Sequence, residues 1–174
     1  MRIGLLAIII VILAGVMPAC SSAAIDCVAA CAKTADCNAG TDVAECQKIC
    51  ENTNRISNSG YLTALGQCTD EACDQLGSCA KAARLGCNGD ANAFIDEYCA
   101  KVNSCSSQFT IAECKADFAK SMDLGLDLRC INDSILSSMA SCIQTVSCST
   151  FADDSKKCIE DATGESSDVM PGGQ

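Results

Sequence analysis

Seventeen cysteines stand in this chain of 174 residues, and their spacing constrains its fold more than any other feature. An odd number rules out complete pairing, so one cysteine is set apart from the rest. Cys20 is the candidate. It lies directly after a stretch that reads as removable, with one positive charge at Arg2 and an uncharged apolar run from Ile3 to Val16. That run is shorter than the ~20 residues a bilayer span needs and is followed by small residues where a peptidase cuts, the pattern of an export signal over residues 1–19. Without Cys20 the count is 16, an even number that closes into eight bridges.

Met17, Pro18, Ala19 and Cys20 resemble the box that ends a bacterial lipoprotein signal: an apolar residue, two further residues, then the cysteine that receives the lipid. The resemblance implies that Cys20 is lipidated and begins the mature protein. It also implies sorting to the outer membrane, because Ser21 follows where Asp typically retains a lipoprotein in the inner one. Pro18 and Met17 depart from the commonest form of the box. The alternative is ordinary cleavage around Ser22 to Ala24, which discards Cys20 and leaves a secreted protein. Both routes deliver the chain to an oxidising compartment.

Beyond Cys20 the cysteines approach the ~10% level of exported disulfide scaffolds. The aromatic complement there is small: Tyr61, Phe94, Tyr98, Phe109, Phe118 and Phe151, with no Trp. Little large apolar surface is available for burial, so covalent staples are expected to supply stability that a core would otherwise provide. From residue 20 on, 11 basic residues face 22 acidic ones, a net charge of −11. Such a surface repels phosphates and argues against nucleic acid as a partner.

The chain repeats itself. CAKTADCNAGTDVAEC from Cys31 matches CAKVNSCSSQFTIAEC from Cys99 without a gap, an offset of 68, and CDQLGSC from Cys73 matches CIQTVSC from Cys142 at an offset of 69. Two units, 27–89 and 90–162, follow from these matches. Each contains twice the pattern C-x5-C followed by a third cysteine, beginning at Cys31, Cys73, Cys99 and Cys142. A tether over 20–26 precedes the units, and the polar, Gly-rich segment 163–174 reads as a disordered tail.

Local signals are helical. Asp42 with Glu45, and Thr110 with Glu113, have capping-box spacing and predict helix starts. Ile25 to Ala35 and Ala91 to Ser104 carry apolar residues at helical intervals, with turns expected at 38–40 and 106–108. The fold class expected is all-α, a single domain of disulfide-stapled helical hairpins built from a duplicated unit of about 68 residues.

Spacing also suggests pairings. Cys27 and Cys31 are four apart, as are Cys46 and Cys50, so each pair lies on one helix face. Two such helices joined by a turn are stapled outer to outer, Cys27 with Cys50, and inner to inner, Cys31 with Cys46. Residues 27–50 resemble the alpha-hairpinin pattern of paired C-x3-C motifs. In the second unit Ile95 and Phe118 replace both outer cysteines together, leaving Cys99 with Cys114. Weaker analogy pairs Cys73 with Cys87 and Cys142 with Cys158. Partners of Cys37, Cys68, Cys79, Cys105, Cys130 and Cys148 stay open. Nine cysteines from Cys27 to Cys87 and seven from Cys99 to Cys158 require at least one bridge between units.

Chemistry is scarce. The chain has no His, which removes Ser-His-Asp and Cys-His catalysis and the common zinc-water sites. It has no C-x2-C pair, no Gly-rich phosphate loop and no complete calcium loop, so neither a cofactor nor a metal is expected. Asn132-Asp-Ser134 fits a glycosylation acceptor in a eukaryotic secreted protein. Through the lipid box and the repeated helical cysteine pattern the whole resembles small cysteine-rich lipoproteins of Gram-negative envelopes. That resemblance implies a non-enzymatic envelope component, structural or binding a protein partner, attached to the membrane by its lipid. A thiol-based metal or redox protein is the other class left open.

Overall fold

The computed structural model describes residues 24–106, 108–123 and 127–164. The signal segment, Cys20 and positions 165–174 lie outside the described residues. Eight α-helices run over those described: α1 (Cys27–Cys37), α2 (Val43–Ile56), α3 (Ser59–Gln67), α4 (Leu76–Leu85), α5 (Asn92–Cys105), α6 (Ile111–Asp123), α7 (Asp133–Thr145) and α8 (Phe151–Thr163). Among the described residues there is no strand, only an isolated antiparallel bridge between Ser57 and Ile131.

Caps place most of these helices. Asp26 Oδ1 accepts from the amides of Val28 and Ala29 at the start of α1, and Asp42 does the same for Ala44 and Glu45 at the start of α2. Asn58 and Asn132 cap α3 and α7 through the amides of Tyr61 and Ile135. At α6 the reciprocal box forms in full: the Thr110 amide donates to Glu113 Oε2 at 2.9 Å and the Glu113 amide to Thr110 Oγ1 at 3.2 Å. Each side chain satisfies an amide that the first helical turn leaves without a partner.

The helices pack as hairpins: α1 on α2, α3 on α4, α5 on α6 and α7 on α8, with α5 lying along α7. That last contact makes the core. Phe94 and Ile95 of α5, Leu136, Met139 and Ile143 of α7 and Leu128 are buried together. Phe118 of α6 joins them, edge-on to Phe94 at 6.2 Å and to Tyr98 at 5.1 Å between ring centroids. The first half has no such cluster. Its buried apolar residues are Ile25, Leu62, Ala83 and three cysteines, Cys31, Cys68 and Cys87.

Eight disulfides connect the described elements: Cys27–Cys50, Cys31–Cys46, Cys37–Cys73, Cys68–Cys79, Cys87–Cys130, Cys99–Cys114, Cys105–Cys148 and Cys142–Cys158. A bridge between Cys73 and Cys87 is not formed. Cys73 precedes α4 in a turn and reaches back to Cys37 at the end of α1, while Cys87 crosses to Cys130 in the other half. The role that Cys142–Cys158 plays between α7 and α8 falls in the first half to Cys68–Cys79, between the end of α3 and α4. Connectivity therefore equates Cys68, not Cys73, with Cys142. Along the sequence Cys31, Cys37 and Cys46 stand 68 residues before Cys99, Cys105 and Cys114, while the later cysteines keep no such offset, α7 and α8 being longer than α3 and α4.

Both outer boundaries also move. Ile25 is 8% exposed, its amide donating to Asn54 Oδ1 at 2.8 Å and its carbonyl accepting from Asn54 Nδ2 at 2.9 Å, so the end of the expected tether belongs to the fold. At the other end Thr163 is a buried residue of α8, and Gly164 closes that helix with φ of +67°, its amide donating to Glu160. The Arg55 guanidinium donates to the carbonyls of Ala162 and Thr163. Thr163, the first residue of the expected tail, is thus tied to α2, and Gly164 to α8.

Candidate functional site

Two places gather side chains whose arrangement goes beyond holding helices together. One is the seam between the halves. The Asn58 amide donates to the Cys130 carbonyl at 2.7 Å and the Asn132 amide to the Ile56 carbonyl at 2.9 Å, forming the isolated bridge. Asn132 Nδ2 donates to the Arg55 carbonyl at 2.9 Å while its Oδ1 caps α7. The side chain suggested as a glycan acceptor is therefore engaged at both ends. Asp127, buried at 8%, accepts from Arg129 Nε at 2.8 Å and Nη2 at 2.5 Å and caps the short 3-10 turn that carries Cys130. The seam is structural in its chemistry: every polar group named has a partner within the chain.

The other is a cavity of about 370 Å³ in the first half. Its wall is drawn from four helices and the turn at Cys68: Ala30, Lys33 and Thr34 of α1, Ile49 and Thr53 of α2, Leu65 of α3, and Leu76 and Ala80 of α4, with Ile25 at one end. It lies between hairpin α1–α2 and hairpin α3–α4, where the second half has α5 packed on α7 around Phe94, Met139 and Ile143. The lining is almost wholly apolar. Of the four threonines on the wall, Thr34, Thr53 and Thr69 donate their hydroxyls to the carbonyls of Ala30, Ile49 and Gly66, and Thr41 lies in the turn between α1 and α2, so little hydrogen-bonding demand faces the space. Half-buried Lys33 is the one charged residue on the wall, and no carboxylate lines it although the chain has 22 acidic residues.

A recess in the second half has the opposite character. It is lined by Asp90, Asp96, Glu97 and Asp133, with Lys115 Nζ 2.6 Å from Asp96 Oδ1 on its flank. No group of three or more His, Cys, Asp or Glu side chains among the described residues is placed to hold a metal ion. The described cysteines, Cys73, Cys87, Cys142 and Cys158 included, are all spent in bridges, and Cys20 lies outside the described residues.

The cavity is the feature that sequence reasoning missed. A signal for it was present: of the six aromatic residues beyond the signal segment only Tyr61 precedes residue 90, so one half had the side chains to fill a core and the other did not. No helix among the described residues is long and apolar enough to cross a membrane. No protein-family model, curated protein or solved structure matches this chain.

Proposed function

We propose that this disulfide-rich helical protein is a non-enzymatic component of a bacterial envelope, held to the outer membrane by a lipid on Cys20 and acting structurally or by binding a partner. The observation that carries the reading is the arithmetic of the cysteines. Sixteen of the 17 are joined in eight bridges, so Cys20 is the one left over, and it stands at the end of an apolar segment in a lipid-box setting. The clamp of Asn54 on Ile25 adds to it, since only residues 20–24 separate the lipid site from the rigid body. At ~3.3 to 3.6 Å per residue such a link spans under about 20 Å. The folded part would sit against the bilayer surface.

An intact mass of the native protein from its membrane fraction, with and without thiol alkylation, tests this. A diacylglycerol-type mass on Cys20 with no alkylated thiol is the expected result. An unlipidated chain cleaved beyond Cys20 would replace it with a secreted protein, and several alkylated thiols with a metal or redox protein.

A further inference from the structure

We propose that the first-half cavity binds one fatty acyl chain of a free fatty acid, with the carboxylate at Lys33. The inference goes beyond the envelope reading and does not depend on the lipid at Cys20. Its first support is the comparison within the molecule. Three bridges with the same connectivity frame both halves, Cys31–Cys46, Cys37–Cys73 and Cys68–Cys79 against Cys99–Cys114, Cys105–Cys148 and Cys142–Cys158. One frame is filled by Phe94, Met139 and Ile143, and the other leaves an apolar recess open to solvent.

Apolar walls in water tend to close on one another, but these are tied in place. Hairpin α1–α2 is stapled twice, α3 and α4 are joined by Cys68–Cys79, and Cys37–Cys73 fixes one hairpin to the other. Walls whose arrangement is restrained by bridges before a ligand arrives spend less binding free energy on ordering. Its volume of about 370 Å³ falls inside the ~300 to 1,000 Å³ of small-molecule sites.

The wall selects the ligand. With the hydroxyls of Thr34, Thr53 and Thr69, three of the four threonines on the wall, committed to backbone carbonyls, a hydrocarbon body leaves little on the wall unpaired. At roughly 30 Å³ per methylene, close to the share of one water in the liquid, the space matches one chain of about a dozen carbons. Lys33 has no carboxylate within ion-pair distance among the described residues. On a surface that otherwise repels anions, the charge of half-buried Lys33, on an apolar wall and in no ion pair among the described residues, favours a single negative head group over a neutral or cationic one.

Dodecanoate titrated into the oxidised protein, and into its Cys20→Ser variant, tests the proposal by calorimetry. One-to-one binding to both is expected, with dodecyltrimethylammonium, the same chain under the opposite charge, about tenfold weaker or worse. Lys33→Glu should reverse that order. Ala80→Phe, which fills the space, should abolish binding while raising the melting temperature, a combination that misfolding does not produce. Absence of saturable binding, equal affinity for both head groups, or undiminished binding by Ala80→Phe with its bridges intact would overturn the proposal. Binding to Cys20→Ser alone would overturn it in favour of a cavity filled by the protein's own lipid. Should Ala80→Phe fail to fold, Lys33→Glu still decides the matter.

Discussion

The carbonyl of Arg129 accepts from the Gly89 amide at 3.0 Å and from Asn58 Nδ2 at 2.5 Å, and a Cβ built on Gly89 would overlap that oxygen. Backbone from the two halves meets here with no room for a side chain. Gly89→Ala should therefore lower stability by about 1 to 3 kcal/mol, the usual cost of forcing extra volume into packed structure. Gly77 in α4 has nothing within reach of a Cβ, and Gly77→Ala should stabilise by about 0.5 to 1 kcal/mol through backbone entropy. Denaturant unfolding of the two variants, with bridges intact, checks the opposite signs. A like effect for both would mean the seam yields. Glu113 supplies a second residue-level test. The Thr110 amide, and then its hydroxyl, hold the Glu113 carboxyl below the ordinary carboxylate range. Its contribution is complete above the unfolded value and is lost as pH falls through the folded one, so Glu113→Ala should flatten the acid limb of the stability profile. An NMR titration in which Glu113 keeps an ordinary value would remove the basis for that expectation.

At the scale of elements, one hairpin is stapled twice and its counterpart once, and the difference shows what a second staple replaces. In α5–α6 the positions of the missing bridge hold Ile95 and Phe118, and Phe118 works because Phe94 and Tyr98 stand beside it. The residues 68 positions before Phe94 and Tyr98 are Asp26 and Ala30, which offer no rings. Transplanting the pair as Cys27→Ile with Cys50→Phe should fail to compensate for the lost bridge. The cost is about 3 kcal/mol for its loop of 23 residues, read from thermal unfolding; an unchanged melting temperature would show that the ring finds other partners. The same contrast marks how far the sequence could be read. Cysteines four apart on a helix face across a short turn, so Cys31 opposite Cys46 and Cys99 opposite Cys114 follow from periodicity. Cys73 defeats that logic because it lies in a turn, where spacing says nothing about direction, and CDQLGSC matched CIQTVSC in letters while occupying a different place in the bridge pattern. Asn54, Arg55 and Asn132 hold the ends and the seam by contacts across 29 to 108 residues, which no local pattern encodes.

The molecule as a whole is stabilised by two different means. Four bridges lie within the first half, Cys27–Cys50, Cys31–Cys46, Cys37–Cys73 and Cys68–Cys79, around little buried apolar surface; three lie within the second, around an apolar core. Cys87–Cys130 and the hydrogen bonds at Asn58 and Asn132 couple them. In the chain-entropy account disulfides act chiefly on the unfolded state, whereas a core acts on the folded one, so reduction should separate the halves. Once its bridges open, the first half has only helix propensity and a few buried residues left, and helices of nine to 14 residues are marginal alone. The second half keeps Phe94, Met139 and Ile143 buried against one another, a contribution that thiols do not remove. Hydrogen exchange followed by mass spectrometry, before and after reduction at neutral pH, should show slow exchange over both halves in the oxidised protein. After reduction, protection should disappear over residues 27–85 and persist in part over 92–163. Equal loss in both halves would mean that the core depends on the bridges as completely as the cavity does. Protection retained over 27–85 would mean that the first half holds together by contacts its burial pattern does not display.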